Sequence, residues 1–275
     1  MNHIDGLKYF STFALIPTII SLNMKSKKIL FIAILTLSLS ECSHKTWQIT
    51  QSTSTRIPID NSTATLTDKN YENFLLPVKQ KIDEQMNVVI GQASETMRGH
   101  APESLLSNFS ADVYKKAASN FLGNNVDIAI INLGGLRTVV NEGNITIGKV
   151  FELMPFENEL VIVWIKGDKL RDLVSYFASM GGEGVSGLRM EIDGGKAQKV
   201  EIDGKPLDIN KLYSIATNDY LAAGNDKMVQ LAQNVKRVNT GIKVRDMLLD
   251  YIKTETKNGN KIKSELDGRI KTINP

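Results

Sequence analysis

Residues 103–131 constrain the fold most tightly. Leu105, Phe109, Val113, Ala117 and Phe121 recur every four residues, which predicts a helix over 103–122 with one apolar stripe. Gly123 stops it, and 126–131 (VDIAII) then reads as a buried strand. A striped helix joined by a few residues to a buried strand belongs in a domain where helices pack on a sheet. Further strands are expected over 88–90, 160–165, 188–193, 199–202 and 212–217, and helices over 168–180 and roughly 241–254. A helix over 68–86 carries Tyr71, Phe74, Leu75, Val78 and Ile82 on one side and is interrupted near its start by Pro77. Turns at Gly194-Gly195 and Asp203-Gly204 imply hairpins, GGEGVSG at 181–187 reads as a flexible loop, and 269–272 closes a sheet edge. Helices and strands interleave, but hairpins join neighbouring strands. The expectation is therefore one α+β (mixed α/β) domain over 68–275, a mixed sheet flanked by helices rather than a doubly wound one.

The region before this domain reads as export machinery. From Met24, the basic Lys25, Lys27 and Lys28 lead into eleven mostly apolar residues, 29–39, then Leu39-Ser40-Glu41-Cys42. A bilayer span takes about 20 residues, so the run fits a signal peptide instead. The last four residues resemble a bacterial lipobox, whose cysteine is acylated and becomes the new N-terminus; Glu41 departs from the small residue usual before it. The competing reading is a short membrane anchor beside a chance cysteine. Residues 1–41 are thus expected to be removed, with 1–23 a false upstream start because Met24 begins a complete signal. Residues 42–67, rich in Ser, Thr and Asn, form a lipid-anchored tether, although their β-branched residues leave room for an edge strand. The chain is expected on the periplasmic face or the cell surface, touching membrane only through lipid on Cys42.

Charge and residue inventory exclude several functions. Four of 33 basic and two of 30 acidic residues precede Cys42, leaving 29 against 28. Without a clustered basic excess, sequence-independent nucleic-acid binding is set aside. Cys42 is the one cysteine, so neither an internal disulfide nor a thiolate metal site is expected. The three histidines, His3, His44 and His100, stand apart, whereas a two-metal phosphatase needs several His and Asp grouped on loops. His100 reads as a satisfied or solvent-exposed histidine. With no GxSxG elbow and no P-loop, the expectation is no catalytic residue, no metal and no cofactor in this chain.

Three segments carry possible binding chemistry. Asn132-Leu133-Gly134-Gly135-Leu136-Arg137 follows the buried strand. Its glycines can expose backbone N–H groups, and Arg137 offers a fork for phosphate or carboxylate; taken alone, a glycine pair more often simply makes a turn. Met154-Pro155-Phe156-Glu157-Asn158 and Asn218–Asp226 each set an aromatic beside hydrogen-bonding side chains. Two such faces can clamp a planar base, with a carboxylate for ribose hydroxyls, though a loop aromatic is more often a core plug.

In their order, N-x-GG-x-R, then Gly143–Val150 (GNITIGKV) with Pro155-Phe156, then A-T-N-x-aromatic-L-A-x-G-x-D, these segments resemble the C-terminal domain of the 5′-nucleotidase family, which includes periplasmic UDP-sugar hydrolases and ecto-5′-nucleotidases. Ile90-Gly91 and Glu103–Asp112 are similar to the family's opening strand and helix, so the resemblance covers roughly 70–272. It implies that Phe156 and Tyr220 sandwich a base, that Asp226 holds ribose hydroxyls, and that Asn132 and Asn158 reach sugar or base edges. Gly134 and Gly135 belong to the binding loop, and Arg137 faces the phosphate. It also implies a nucleotide or nucleoside ligand. In two-domain members the metal-binding domain precedes this one in the same chain; with only the tether in front here, the expectation is a separate metallophosphatase chain that carries the divalent metals, and no activity from this chain alone. The alternative is a non-catalytic nucleoside-binding or structural surface lipoprotein. Departures from the pattern are Tyr220 for phenylalanine, Ser104 where an arginine is usual (Arg98 lies near but out of register), and Asn225 and Lys227 for glycines. The bulkier pair would narrow the pocket, or Lys227 would supply a replacement cation.

Overall fold

The structure, a computed structural model, describes residues 28–29, 47–60 and 68–274. The chain divides into two units, Met1–Leu66 and Thr67–Pro275. In the first, Lys28 and Ile29 are helical, and 47–60 is exposed with neither helix nor strand, so the edge strand left open for the tether does not occur there. Cys42, the lipobox and the basic residues Lys25 and Lys27 lie outside the described residues. No described helix is long and apolar enough to cross a membrane.

The second unit is built on a five-stranded mixed sheet. In chain order its elements are α1 (Lys69–Met86), β1 (Val89–Ala93), α2 (Leu105–Leu122), β2 (Ile128–Ile131), β3 (Gly143–Thr146), α3 (Ile147–Leu153), β4 (Glu159–Lys166), α4 (Gly167–Ser179), β5 (Gly184–Ser186), β6 (Leu188–Asp193), β7 (Lys196–Ile202), β8 (Lys205–Pro206), β9 (Leu212–Asn218), α5 (Asp219–Ala222), α6 (Val229–Ala232), β10 (Lys236–Lys243), α7 (Val244–Lys257) and β11 (Ile270–Asn274). The central sheet has the order β10-β4-β9-β2-β5. Only the β2–β9 pair within it is parallel, with Ile128 opposite Ile215. A second sheet, β11-β6-β7-β8, and the antiparallel pair β1-β3 complete the strands. This is the mixed architecture the sequence implies.

Strand alternation sorts the core into two layers. On one face, Leu160 and Ile162 of β4, Ala129 and Ile131 of β2, and Ala216 of β9 pack with Phe109 and Val113 of α2 and Met247 and Leu248 of α7. On the other, Val161, Val163, Ile128, Ile130 and Ile215 meet Leu170, Leu173, Val174 and Phe177 of α4 and Leu188, Met190 and Ile192 of β6. With both faces covered, the central strands read as continuous apolar runs.

Local sequence explains most boundaries. Ser104 caps α2 through a reciprocal pair with Ser107, and Gly123 ends it in the left-handed region at φ 68°. Three expectations need correction. Pro77 does not interrupt α1, which runs through it; its missing N–H leaves the Asn73 carbonyl to solvent on a helix with no buried residue. The stripe on that helix is correspondingly exposed, Phe74 at 74%, while its last turn packs at Met86 near Gly148. The 181–187 run is not wholly loop, because 184–186 forms β5 and pairs with β2. A Cβ on Gly184 would overlap the Ile131 side chain, so the glycine serves close strand packing rather than flexibility. Finally, the last helix starts at Val244, since 241–243 belongs to β10.

Candidate functional site

The parallel β2 and β9 end side by side, and β4, antiparallel to β9 with Leu160 opposite Asn218, begins beside them. Three loops therefore leave one end of the sheet together: the turn after β2, the 154–158 loop before β4, and α5 with its following loop after β9. This is the crevice beyond strand carboxyl ends where α/β folds commonly place ligands.

A cavity of about 380 Å³ opens there, lined by Asn132, Gly134, Gly135, Arg137, Met154, Phe156, Asn158, Tyr220 and Asp226. All eight binding residues expected from the sequence thus surround one space, joined by Met154, which the sequence reading left out of its site. Ser104, Asn225 and Lys227 do not line it. Ser104 is fully buried in its helix cap, Asn225 donates its amide to the Tyr220 carbonyl at 2.8 Å, and Lys227 is exposed. A cavity of about 420 Å³ between α2 and α7, including Val113, Ala117, Phe121, Met247 and Tyr251, is larger but mostly apolar and lacks a comparable set of converging polar groups.

Asp226 is the centre of the site's hydrogen bonding. Its backbone lies in the left-handed region at φ 52°, followed by Lys227 at 61°, so the carboxylate is presented from a tight turn. Asn132 Nδ2 donates to Asp226 Oδ2 at 2.7 Å, and the Tyr220 hydroxyl donates to Oδ1 at 2.8 Å. The Tyr176 hydroxyl donates to the Asp226 carbonyl at 3.1 Å. Bonding to the carboxylate holds the Tyr220 phenol above its ordinary pKa, because the neutral phenol is the donor. Each carboxylate oxygen keeps a lone pair for a ligand hydroxyl.

The aromatics are half-exposed, Phe156 and Tyr220 at 41% each, so their faces are open to a planar ligand. Asn218 caps α5 by accepting the Leu221 N–H at 2.8 Å, and Asp219 Oδ1 accepts the N–H groups of Tyr220 and Glu159, which ties α5 to the start of β4. Arg245 of α7 holds the opposite loop. It donates to the Pro155 carbonyl at 3.4 Å and to the Glu157 carboxylate, and its guanidinium stacks 4.1 Å from the Phe151 ring centroid. Lys243 adds bonds to the Glu157 carbonyl at 3.1 Å and Glu159 Oε1 at 3.0 Å. Arg137 donates to the Gly134 carbonyl at 3.2 Å and lies 6.0 Å from the Phe156 ring centroid, which leaves most of its donors available to a ligand.

Sequence reasoning missed Tyr176 and Glu183. Glu183 is 6% exposed, and its Oε1 accepts the Leu133 N–H at 2.6 Å and the Gly184 N–H at 3.2 Å. Burial pushes its carboxyl up to about 7, the two N–H donors oppose that rise, and the negative Asp226 adds to it. Neither residue lies in a recognisable motif, so no local signal marked them. Among the described residues, no group of three or more His, Cys, Asp or Glu is arranged to hold a metal ion.

Comparison with known proteins places this geometry. UshA of Yersinia enterocolitica is 27% identical over 191 residues, covering 67% of this chain and 34% of that protein. The trifunctional nucleotide phosphoesterase protein YfkN of Bacillus subtilis is 26% identical over 238 residues, 79% of this chain and 16% of that one. The chain spans about a third of the length of the first of these. Among solved structures, a 5′-nucleotidase precursor from Thermus thermophilus superposes with a TM-score of 0.64 at 30% identity, covering 74% of this chain and 43% of that one. The sequence profile of the 5′-nucleotidase C-terminal domain matches residues 89–233, the stretch that runs from β1 to the end of α6 and supplies every residue around the Asp226 cavity, and the chain belongs to that family.

Proposed function

We propose that this chain is a nucleotide- or nucleoside-recognition module that contributes to extracytoplasmic nucleotide hydrolysis together with a separate metallophosphatase chain. The observation that supports it most is the cavity itself: two half-exposed aromatics beside a carboxylate that already collects hydroxyl and amide donors, with a guanidinium at the glycine turn. Phe156 and Tyr220 stack on the base, Asp226 with Asn132 receives the ribose hydroxyls, Asn158 reaches a sugar or base edge, and Arg137 attracts the phosphate. Binding, orientation and partial shielding from water are what these residues supply. The partner brings the divalent metals and the activated water, which is the division of labour expected of a two-metal hydrolase. Acylated Cys42 anchors the module, and the tether holds it off the membrane.

Calorimetry with AMP, adenosine and a UDP-sugar tests the recognition. Wild type is expected to bind at least one, and Phe156→Ala to weaken it by about tenfold or more; unchanged affinity in that variant would sink the clamp. Mixing the chain with a candidate metallophosphatase then tests the partnership, because hydrolysis must rise when both are present.

A second reading is a non-catalytic surface lipoprotein that captures nucleosides in the same cavity. Tight nucleoside binding with no effect on any phosphatase would select it.

A further inference from the structure

An asparagine at the start of a helical turn ordinarily bonds its own side chain to the turn's free N–H groups. Asn132 holds that position before the 3₁₀ turn Leu133–Gly135, yet its side chain makes no capping bond; its amide is committed to Asp226 across the cavity. A capping side chain serves the second and third N–H groups of its turn; the first, on Leu133, is held by the Glu183 carboxylate at 2.6 Å. Close packing fixes where that carboxyl stands. A Cβ on Gly182 would meet the Pro102 backbone at 2.6 Å, and one on Gly184 would overlap Ile131, so the chain on both sides of Glu183 is pressed against its neighbours. The second bond, from the Gly184 N–H, joins the same carboxyl oxygen to the edge strand β5.

We infer that Glu183 is a positioning residue of the cavity: by holding the Leu133 N–H it fixes the glycine turn, and so sets Asn132, the residue before it, where its amide holds Asp226 and faces a bound nucleoside. The identity of that ligand rests on the proposed function; the capping does not. A carboxylate accepts two N–H bonds better than a carboxylic acid does. The titratable groups acting on Glu183 are the Asp226 carboxylate and, from α4, the Tyr176 phenol, and its own carboxyl titrates near neutrality. As pH falls through that range the bond to Leu133 weakens, the glycine turn loosens, and the Asn132 amide is held less firmly on Asp226. The nucleoside site is therefore better formed above neutral pH than below it.

The test uses the full chain, wild type, Glu183→Gln and Glu183→Ala. Amide resonances of Leu133 and Gly184 are followed by NMR between about pH 5.5 and 8.5, and adenosine affinity is measured by calorimetry over the same range. Adenosine has no phosphate whose own titration would intrude. In wild type both amides are expected to titrate with one midpoint, and affinity to weaken about threefold to tenfold toward the acid end. Glu183→Gln keeps an acceptor oxygen but cannot ionise, so its affinity should be flat with pH. In Glu183→Ala the Asn132 side-chain amide should shift as the turn beside it loosens and its bond to Asp226 changes. Amides that do not titrate, or a wild-type pH profile retained by Glu183→Gln, would overturn the inference. If adenosine binds no form at any pH, the nucleoside reading fails, and the capping role is decided by the amide titration and by whether the Asn132 resonance moves in Glu183→Ala.

Discussion

Tyr220 and Asp226 are joined through a phenol-to-carboxylate hydrogen bond of 2.8 Å that spans the turn carrying both residues. The bond gives the tyrosine a use that phenylalanine would lack, since it fixes the ring's direction over the cavity. Tyr220→Phe is expected to weaken nucleoside binding by no more than about fivefold, the loss of one modest hydrogen bond. Tyr220→Ala should cost about tenfold to a hundredfold, because the stacking face itself is gone. In Asp226→Asn the Tyr220 phenol should ionise at lower pH than in wild type, read by ultraviolet titration.

Gly135 tests the turn without removing any polar group. A Cβ there would stand 2.8 Å from Asn132 Oδ1, while the backbone lies outside the left-handed region. Gly135→Ala should therefore displace the Asn132 amide from Asp226 and lower adenosine affinity by about tenfold, with an overpacking cost of about 1 kcal/mol. A variant that melts like wild type and also binds like it would show that Asn132 has room to adjust.

Arg245 anchors the Phe156 loop from behind, through Pro155 and Glu157. Arg245→Met keeps much of the bulk against Phe151 and removes the bonds. Thermal melts should show a loss of about 1–3 kcal/mol, and hydrogen exchange should rise at 154–158 while β4 stays protected. Uniform exchange across the domain would instead mark Arg245 as a residue of general stability.

Acid sensitivity should trace in part to Asp127. Burial works to raise its carboxyl, but hydrogen bonds from the Ser214 hydroxyl and N–H, together with the bond and charge of Lys211, outweigh burial and hold it below the ordinary carboxylate range. A depressed folded-state value adds stability that is present above the unfolded-state pKa and lost as pH falls through the folded one. Melting temperature from about pH 7 down to about pH 3 should then fall less in Asp127→Asn than in wild type. Parallel curves would assign the acid transition to other groups.

What the sequence made legible follows from where each signal is stored. The stripe of α2 and its glycine stop are local, so both were readable, and the apolar run of β4 announced a strand. β10, with the sequence KRVNTGIK, has no such run; it is a strand because β4 offers it an edge, with Arg237 opposite Val163. Gly184 was misread because the need for it lies 53 positions away, in the Ile131 side chain. The cavity residues were legible through the order of their motifs and not through any one of them. Glu183 belongs to none of those motifs, and a lone acid among glycines says nothing until the turn it caps is folded beside it.

The two apolar layers lie on the two faces of the central sheet, while the cavity is walled by loops that lie beyond the ends of its strands. Of its nine wall residues only Met154 and Gly135 are counted among the buried ones. Changing the letters at Phe156, Asn158, Tyr220 or Arg137 therefore leaves the interior almost untouched. Such a scaffold can drift from one ligand to another by single substitutions while its folding stays constant, which makes this end of the sheet the natural place to engineer new selectivity.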